Sequence, residues 1–475
     1  MIPHRYSIPA RLRPYLQVVP YRSLPSFANV SSPSPATSGS LADLAQFSLD
    51  RAKQLGATAA EVEISMSLGQ DVTVRLGEVE TIEHHRDKGL GITVYLGQQR
   101  GNASTTDLSR EAIERTVKAA LAIAKYTAAD EHAGLADAAR LARPPFADFG
   151  LYYPWKLSVE DAIELGKRME AAAFAVDKRI NNSEGASVST SESDFIYANS
   201  AGFIGGYPTT RHSASCTMIA ATKQGMQRDY WYAVARDEQG LESAEAIGRR
   251  AGERTVARLD ARKIGSCDVP VLFEAPVASG LIGSFVGAVS GSALYRKSSF
   301  LQNSIGETVF SPIVSIREDP GIHGGLASGP FDAEGVTTVA REIVKDGVVQ
   351  GYFLATYSAK KLGMQSTGNA GGNHNLLVTP GEMDFAALCK KMNRGLVVTE
   401  LMGQGVNNVT GDYSRGAAGF WVENGEIAYP VEEITIAGNM KQMFKDIVAV
   451  GNDELALGSK RVGSILIERM AIAGE

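Results

Sequence analysis

Turn-forming residues are unusually dense between Thr399 and Met440, and this density strongly constrains what the C-terminal part of the chain can form. They fall in clusters that separate short apolar runs: Gly403-Gln404-Gly405, Asn407-Asn408, Gly411-Asp412, Gly416 and Asn424-Gly425. Glycine and asparagine tolerate positive φ and therefore favour tight turns. The stretch thus predicts a compact β domain built from hairpins.

Asn424-Gly425 gives the clearest local prediction. Asn-Gly suits both central positions of a type I′ turn, and the dipeptide lies between the apolar runs FWV and IAY. We therefore expect a hairpin in which Val422 faces Ile427 and Phe420 faces Tyr429. Pro430 cannot donate to a strand ladder, so an edge or a bulge is expected just past it. Asp346-Gly347 is expected to form a turn of the same kind.

Composition bounds the class of protein. At 475 residues the chain exceeds one ordinary core, so two or three domains are expected. Its 44% hydrophobic and 21% charged residues are typical of a soluble globular protein, and its net charge of −6 argues against a nucleic-acid binder. Cys216, Cys267 and Cys389 lie far apart and form no CxxC pair, which fits the reducing cytoplasm.

Two stretches resemble targeting or membrane segments. Residues 1–40 are rich in Arg, Pro and Ser and contain no acid. This is the profile of a transit peptide, but the prolines break an amphipathic helix, so we expect a disordered extension or an upstream start codon. Ala275–Leu294 has no charge. Its glycines, serines and proline make it a poor membrane span, and we expect a helix buried in protein.

Glycines at 283, 287 and 291 recur within that apolar helix at a spacing of four. This spacing places Gly283, Gly287 and Gly291 on one ridge, where another backbone can approach closely. Glycine costs about 1 kcal/mol per position in a helix. The ridge therefore predicts a packing contact, within the subunit or with a second chain.

The rest of the chain alternates helices with strands of period two. Ser40 is expected to cap a helix over Leu41–Leu55. Alternating segments at 61–68, 70–76, 78–85 and 90–96 predict a meander, with turns at the glycines and at 86–88. A helix from Ser109 follows, and then a helix from Ser158 to Val176, strands within 183–235 and a helix over 242–259. An α+β fold is predicted, with lobes at 41–143 and 155–262 and a β-rich domain at 263–475.

Standard catalytic signatures are absent from the sequence, including GxSxG, Walker A, HExxH and GxGxxG. His212 and Cys216 would share one face of a strand, but two ligands do not make a zinc site. His374 follows two glycines and could contact a ligand, or lie exposed after a turn. Tyr413 and Arg415 lie in a glycine loop, where the guanidinium could hold a peptide carboxylate or carbonyl. A surface ion pair is the alternative for Arg415.

Several motifs carry a resemblance to a known family. They are the Thr399–Met440 stretch with the VGND that follows it, RKSSFL at 296–301, GLASGPFDAEGV at 325–336 and STGNAGG at 366–372. From about Ala42 to its C-terminus the chain resembles the PmbA (TldE) branch of the TldD/PmbA peptidase family. In the TldD branch an H-E-x-x-x-H helix binds zinc with a C-terminal cysteine. The resemblance places Gly283, Ser284, Ala288 and Val462 at those positions, so no zinc is expected in this chain.

The resemblance implies a subunit of a cytosolic zinc metallopeptidase. A TldD-like partner would supply zinc and the general base, and this chain would supply an interface and part of a peptide-holding cavity. Peptide maturation and degradation of unfolded small proteins are the implied activities, without nucleic acid or membrane partners. A non-enzymatic peptide-binding or regulatory protein is the alternative.

Overall fold

The computed structural model describes residues 36–475, with side chains from Leu41 onward. The extension predicted for residues 1–40 therefore lies outside the described residues as far as residue 35. The first helix, α1, spans Ala36–Gln54. The expected cap at Ser40 is wrong, because the helix begins four residues earlier and Ser40 lies inside it.

Helices and strands of the first half follow the predicted order. They are α1, β1 (Ala59–Arg75), β2 (Glu78–Leu96), β3 (Gln99–Thr105), α2 (Arg110–Tyr126), α3 (Val159–Phe174), β4 (Ile180–Asn199), β5 (Ile204–Gly206), β6 (Thr209–Thr222), β7 (Gly225–Ala235) and α4 (Ala244–Ala257). Ser109 and Ser158 cap α2 and α3 as predicted, each accepting a hydrogen bond from a backbone N–H three residues on.

All seven strands of this half form one antiparallel sheet, in the order β3-β2-β1-β4-β6-β7 with β5 on β4. Its centre is the pairing of β1 with β4, which runs from Glu61 opposite Asn199 to Val74 opposite Ala186. Helices pack against the sheet through two separate hydrophobic cores. One core lies under α1 and α2, and the other lies under α3 and α4. The two predicted lobes thus share a continuous sheet.

Strands β1 and β2 are longer than expected. The turns predicted at Gly69 and at residues 86–88 are wrong, since both positions lie inside paired strand, with Gly69 opposite His85. A Cβ at Gly69 would collide with the His85 ring. Glycine at this position therefore leaves room for the imidazole, and the strand pairing continues through it.

Within the described residues 36–475, one edge of β2 is bare over part of its length. Only residues 90–96 of this strand pair with β3. Residues 78–89 pair with β1 on one side, and most of this segment is exposed. The segment reads EVETIEHHRDKG and is rich in charge.

The second half contains two further sheets and a large shared core. Its helices and strands are β8 (Cys267–Phe273), α5 (Ala275–Ala288), α6 (Gly291–Tyr295), β9 (Ile316–Asp319), β10 (Arg341–Lys345), β11 (Val348–Val349), α7 (Thr356–Lys361), β12 (Asn375–Val378), α8 (Phe385–Met392), β13 (Gly395–Met402), β14 (Asp412–Glu423), β15 (Glu426–Asn439), α9 (Met440–Lys445), β16 (Ile447–Val450), β17 (Lys460–Arg461) and β18 (Ile465–Ala473). The sheet orders are β15-β14-β13-β8-β18-β16 and β11-β10-β9-β12-β17.

The predicted hairpin joins β14 to β15. Asn424 and Gly425 have φ of 54° and 77°, as a type I′ turn requires. Val422 lies opposite Ile427 as expected, but Tyr429 lies opposite Trp421, because the register shifts by one residue between them. The expected pairing of Phe420 with Tyr429 is therefore wrong. A second shift follows Pro430, where the bulge was predicted, and Glu433 there has a φ of 54°.

A buried ion network joins the two halves. Arg254 on α4 donates to Glu274, which directly precedes α5, with its two terminal nitrogens at 2.7 and 3.1 Å from the carboxylate oxygens. Arg254 also lies 3.4 Å from Asp229 on β7. The three side chains are 5–9% exposed. Burial at this level makes every member depend on its partners.

Between Ala36 and Glu475 we find no helix with the length and apolar character needed to cross a membrane.

Candidate functional site

Helix α5 occupies the position at which the family resemblance places a catalytic helix. One face is buried against the core through Ala278, Leu281, Ile282 and Phe285. Its N-terminus is fixed from the C-terminal part of the chain, since the Ala275 N–H donates to Ser464 Oγ at 3.1 Å. Ser464 Oγ in turn donates to Asp453 at 2.6 Å. The helix is therefore rigidly placed in the domain.

The glycine ridge predicted on this helix is wrong. The helix ends at Ala288, and Gly291 belongs to the separate helix α6. Only Gly291 is closely packed, with Ser358 Oγ within 2.5 Å of where a Cβ would stand. Among residues 36–475, a Cβ at Gly287 would meet nothing within 4 Å, and one at Gly283 would meet only Lys460, at 3.6 Å. No described part of the chain covers the outer face of α5 at these two positions.

The four positions that correspond to the zinc motif hold no metal-binding set. Ser284 Oγ donates to the Gly280 carbonyl at 3.1 Å, one turn back in the helix. Ala288 and Val462 are buried in the apolar core. Among residues 36–475 no group of three or more His, Cys, Asp or Glu side chains is placed to hold a metal ion. The side chains at these four positions do not fit zinc.

We expect the purified chain to bind no stoichiometric zinc, because positions 283, 284, 288 and 462 offer no ligand. Elemental analysis after dialysis checks this, and one tightly held zinc per chain would contradict it.

Ser284→Glu alone is expected to leave the chain without peptidase activity, since a general base has little to activate without a metal-bound water. Measurable cleavage by that variant would show that a metal is held elsewhere in the chain.

Tyr413 and Arg415 are two residues apart on β14, so their side chains lie on the same face of the sheet. Tyr413 is 3% exposed, and its hydroxyl interacts with the neighbouring Arg415. Burial raises the pKa of Tyr413 to about 12, and the charge of Arg415 opposes this shift. Arg415 Nε is buried without a hydrogen-bond partner among the described residues. Arg415 is therefore the member of this pair with an unsatisfied donor.

The ion pair considered for Arg415 is not formed with any described residue: no carboxylate lies within 4.0 Å of its guanidinium. The loop after β13 covers the stem, and a Cβ at Gly405 would lie 3.1 Å from Arg415 Cγ. Arg415 is half-buried. Its expected role in peptide binding stays a prediction.

His374 begins the segment that leads into β12, and its ring lies near two backbone carbonyls. Its Nδ1 lies 3.2 Å from Ala327 O and its Nε2 lies 2.9 Å from Gly368 O. Its backbone N–H donates to Glu318, which also pairs with Arg341 at 2.9 Å. The same network holds the STGNAGG segment, since Asn369 donates to Glu318 at 2.8 Å. These contacts favour a structural role for His374.

His212 and Cys216 are also held within the fold. His212 Nδ1 lies 2.8 Å from Thr190 Oγ1, and Nε2 lies 2.8 Å from Tyr153 O. Both His212 and Cys216 are 0% exposed. Burial raises the pKa of Cys216 to about 12, which keeps the thiol protonated and a poor ligand. The two side chains pack the sheet.

A cavity of about 750 Å³ lies where the first sheet, the loop after α2 and the second half meet. Sequence reasoning missed it, because its residues are distant in the chain. Its charged and tyrosine lining residues are Glu61, Tyr95, Arg100, Asp130, Glu131, Glu334, Tyr357 and Lys361. Nothing in the sequence distinguishes Glu61 from Glu63, since both are glutamates on the same face of the same predicted strand.

Glu61 lines this cavity and is held in place by two tyrosines. The hydroxyls of Tyr95 and Tyr197 donate to its two carboxylate oxygens at 2.9 and 2.8 Å. Burial raises the pKa of Glu61, and the nearby charge of Glu334 adds to the shift, whereas the tyrosine hydrogen bonds oppose it. Burial also raises the pKa values of both tyrosines, so they remain donors at neutral pH.

Comparisons with known proteins agree along most of the chain. Three family models match: PmbA/TldA metallopeptidase domain 1 over residues 60–124, the central domain over 152–259 and the C-terminal domain over 266–474. The chain is 49% identical over 416 residues to the metalloprotease PmbA of Escherichia coli O157:H7, a match that covers 88% of this chain and 92% of that protein.

Solved structures show the same fold. A Bacteroides thetaiotaomicron protein, described as a proposed modulator of DNA gyrase, aligns with a TM-score of 0.86 and 30% identity over 91% of this chain and 98% of that one. TldE from Thermococcus kodakarensis aligns with a TM-score of 0.80 and 21% identity over 91% and 99%.

Proposed function

The chain belongs to the PmbA/TldD metallopeptidase family, and from this premise we propose that it is a PmbA/TldE-like subunit of a cytosolic zinc peptidase complex. A TldD-like partner would supply the zinc ion and the general base. This chain would supply an interface and part of the surface that holds the peptide. Peptide maturation and the degradation of unfolded small proteins are the reactions proposed for the complex.

One observation carries the proposal. Helix α5 is held in place as a catalytic helix would be, from Ser464 at its start to Phe285 in the core. Its metal positions are nevertheless Gly283, Ser284 and Ala288, which cannot act on a peptide bond. A chain that keeps the scaffold of a peptidase without its chemistry fits a subunit that works beside an active one.

Peptidase assays with the two chains mixed and apart test this function. The purified chain, a purified TldD-type chain and their mixture are each given the same fluorogenic peptides. Cleavage that requires both chains supports the proposal. Cleavage by the TldD-type chain at the same rate with and without this chain would overturn it and favour a binding or regulatory protein. Cleavage by this chain alone would overturn it as well.

Arg415→Ala is expected to weaken substrate binding by the mixed complex. A hydrogen bond to a charged group is worth about 1.5–3 kcal/mol, or about ten- to a hundredfold in KM if the contact is the same in the ground and transition states. Steady-state kinetics with one active partner preparation measure it. Arg469→Ala is the matched control, because Arg469 is 71% exposed and pairs only at the surface.

His374→Ala serves as a second comparison, because the contacts of this ring with Ala327 and Gly368 are internal. We expect it to lower thermal stability more than it changes KM. If Arg415→Ala leaves KM and kcat unchanged, Arg415 does not hold the peptide, and the proposed peptide surface must lie elsewhere.

A further inference from the structure

The cavity beside Glu61 has an uneven charge balance. Four carboxylates line it, from Glu61, Asp130, Glu131 and Glu334, against the two cations Arg100 and Lys361. One of these cations is already engaged, since Lys361 Nζ lies 3.2 Å from Asp130. Asp130 also accepts a hydrogen bond from Tyr357 at 2.6 Å. The negative charge of Asp130 is therefore already balanced by Lys361 within the chain.

The negative charges of Glu61 and Glu334 are not balanced by a paired cation in this way. Neither makes an ion pair with any residue between 36 and 475. Glu334 accepts one hydrogen bond, from the Thr356 N–H at 2.8 Å. The charge of Arg100 lowers the pKa of Glu61, but this effect is smaller than the opposite effect of the negative charge on Glu334. Two carboxylates thus face one cavity in which negative charge is unbalanced.

The hydrogen bonds to Glu61 come from neutral groups in fixed positions. Tyr95 and Tyr197 are each 4% exposed, so their hydroxyls hold the carboxylate in place without neutralising it. A carboxylate held in this way costs free energy through desolvation, and a cation that arrives at it recovers part of that cost.

We propose that this cavity binds a primary ammonium or guanidinium group of a peptide, with Glu61 and Glu334 as its acceptors. The peptide as ligand rests on the function proposed above. Either a Lys or Arg side chain or a free N-terminus carries the required charge. A volume of about 750 Å³ accommodates such a group together with neighbouring peptide atoms.

Calorimetric titration of the full chain with four hexapeptides tests the inference. The peptides share one sequence, in which a central position is lysine or norleucine and the N-terminus is free or acetylated. Both singly charged peptides, or one of them, should bind at least tenfold more tightly than the acetylated norleucine peptide. Which of the two binds identifies the source of the charge. Equal affinity, or no binding, for all four overturns the inference.

Variants locate the site. Glu61→Gln is expected to weaken binding of the favoured peptide at least tenfold, whereas Glu63→Gln, two residues along β1 and outside the cavity, should not change it. If Glu61→Gln unfolds, as thermal denaturation would show, Glu334→Gln decides, because Glu334 is half-buried and lies outside the sheet. Unchanged affinity in a folded Glu61→Gln chain, or in Glu334→Gln when that variant decides, overturns the assignment.

The outcomes separate this inference from the proposed function. Binding is measured on the single chain, without a partner and without hydrolysis. A chain that binds the charged peptides but does not activate a TldD-type chain retains the cavity assignment and loses the peptidase role. A chain that activates its partner but does not discriminate among the four peptides retains the role and loses the cavity.

Discussion

Glu274→Ala is expected to lower the free energy of unfolding by about 3–5 kcal/mol, because it leaves the Arg254 guanidinium buried without its bidentate acceptor. The three groups of the network are 5–9% exposed, so water cannot replace the missing carboxylate. Asp229 already accepts from Arg254 Nε at 3.4 Å and also pairs with Arg258, so it does not replace the two hydrogen bonds made by the terminal nitrogens. The network joins α4 to the start of α5, and its loss should loosen the contact between the halves.

Chemical denaturation followed by far-UV circular dichroism measures the effect of Glu274→Ala. Glu114→Ala is the matched control, because Glu114 also pairs with an arginine, Arg51 at 2.7 Å, but is 33% exposed. Partly exposed pairs are worth about 0–1 kcal/mol, so the control should stay close to the parent chain. A Glu274→Ala curve that overlays the control would show that the buried network adds nothing to stability.

Phe285→Ala and Gly287→Leu are expected to have opposite effects, although they are two residues apart on α5. Phe285 is 0% exposed, and its ring lies edge-on to Phe310 at 5.0 Å between centroids. Removal of such a ring costs about 3–5 kcal/mol. Gly287 is exposed and a Cβ there meets no described atom within 4 Å, so leucine should be tolerated and gain about 0.8–1 kcal/mol in helix propensity.

Thermal unfolding of both variants gives this comparison. If the open face of α5 contacts a partner subunit, Gly287→Leu should weaken assembly while the single chain stays as stable as the parent. Strong destabilisation of the single chain by Gly287→Leu would contradict the packing described here.

Features decided by neighbouring residues were predictable from the sequence. Ser109 and Ser158 cap their helices because each side-chain oxygen accepts a hydrogen bond from a backbone N–H only three residues away. The turn at Asn424-Gly425 and the bulge after Pro430 follow equally from local backbone preferences. The α+β class and the order of helices and strands follow from the same kind of signal.

Features decided across the chain were not predictable. Gly69 is present because of the His85 ring on the next strand, and the same residue in isolation indicates a turn. The pairing of Phe420 with Tyr429 fails because one extra residue bulges out beside the turn. The cavity at Glu61 brings together residues from 61 to 361, and no spacing in the sequence announces it. The role expected for Arg415 stays a prediction.

The bare edge of β2 bears on how the protein behaves in concentrated solution. An unpaired strand offers its backbone N–H and C=O groups to any other extended chain, and such edges seed aggregates. Residues 78–89 contain two apolar side chains, Val79 and Ile82, and six charged ones: Glu78, Glu80, Glu83, Arg86, Asp87 and Lys88. A second copy would have to desolvate these charges to add a strand. The charged residues of this edge thus oppose edge-to-edge aggregation. Neutral substitutions along it would remove that protection without disturbing the rest of the sheet.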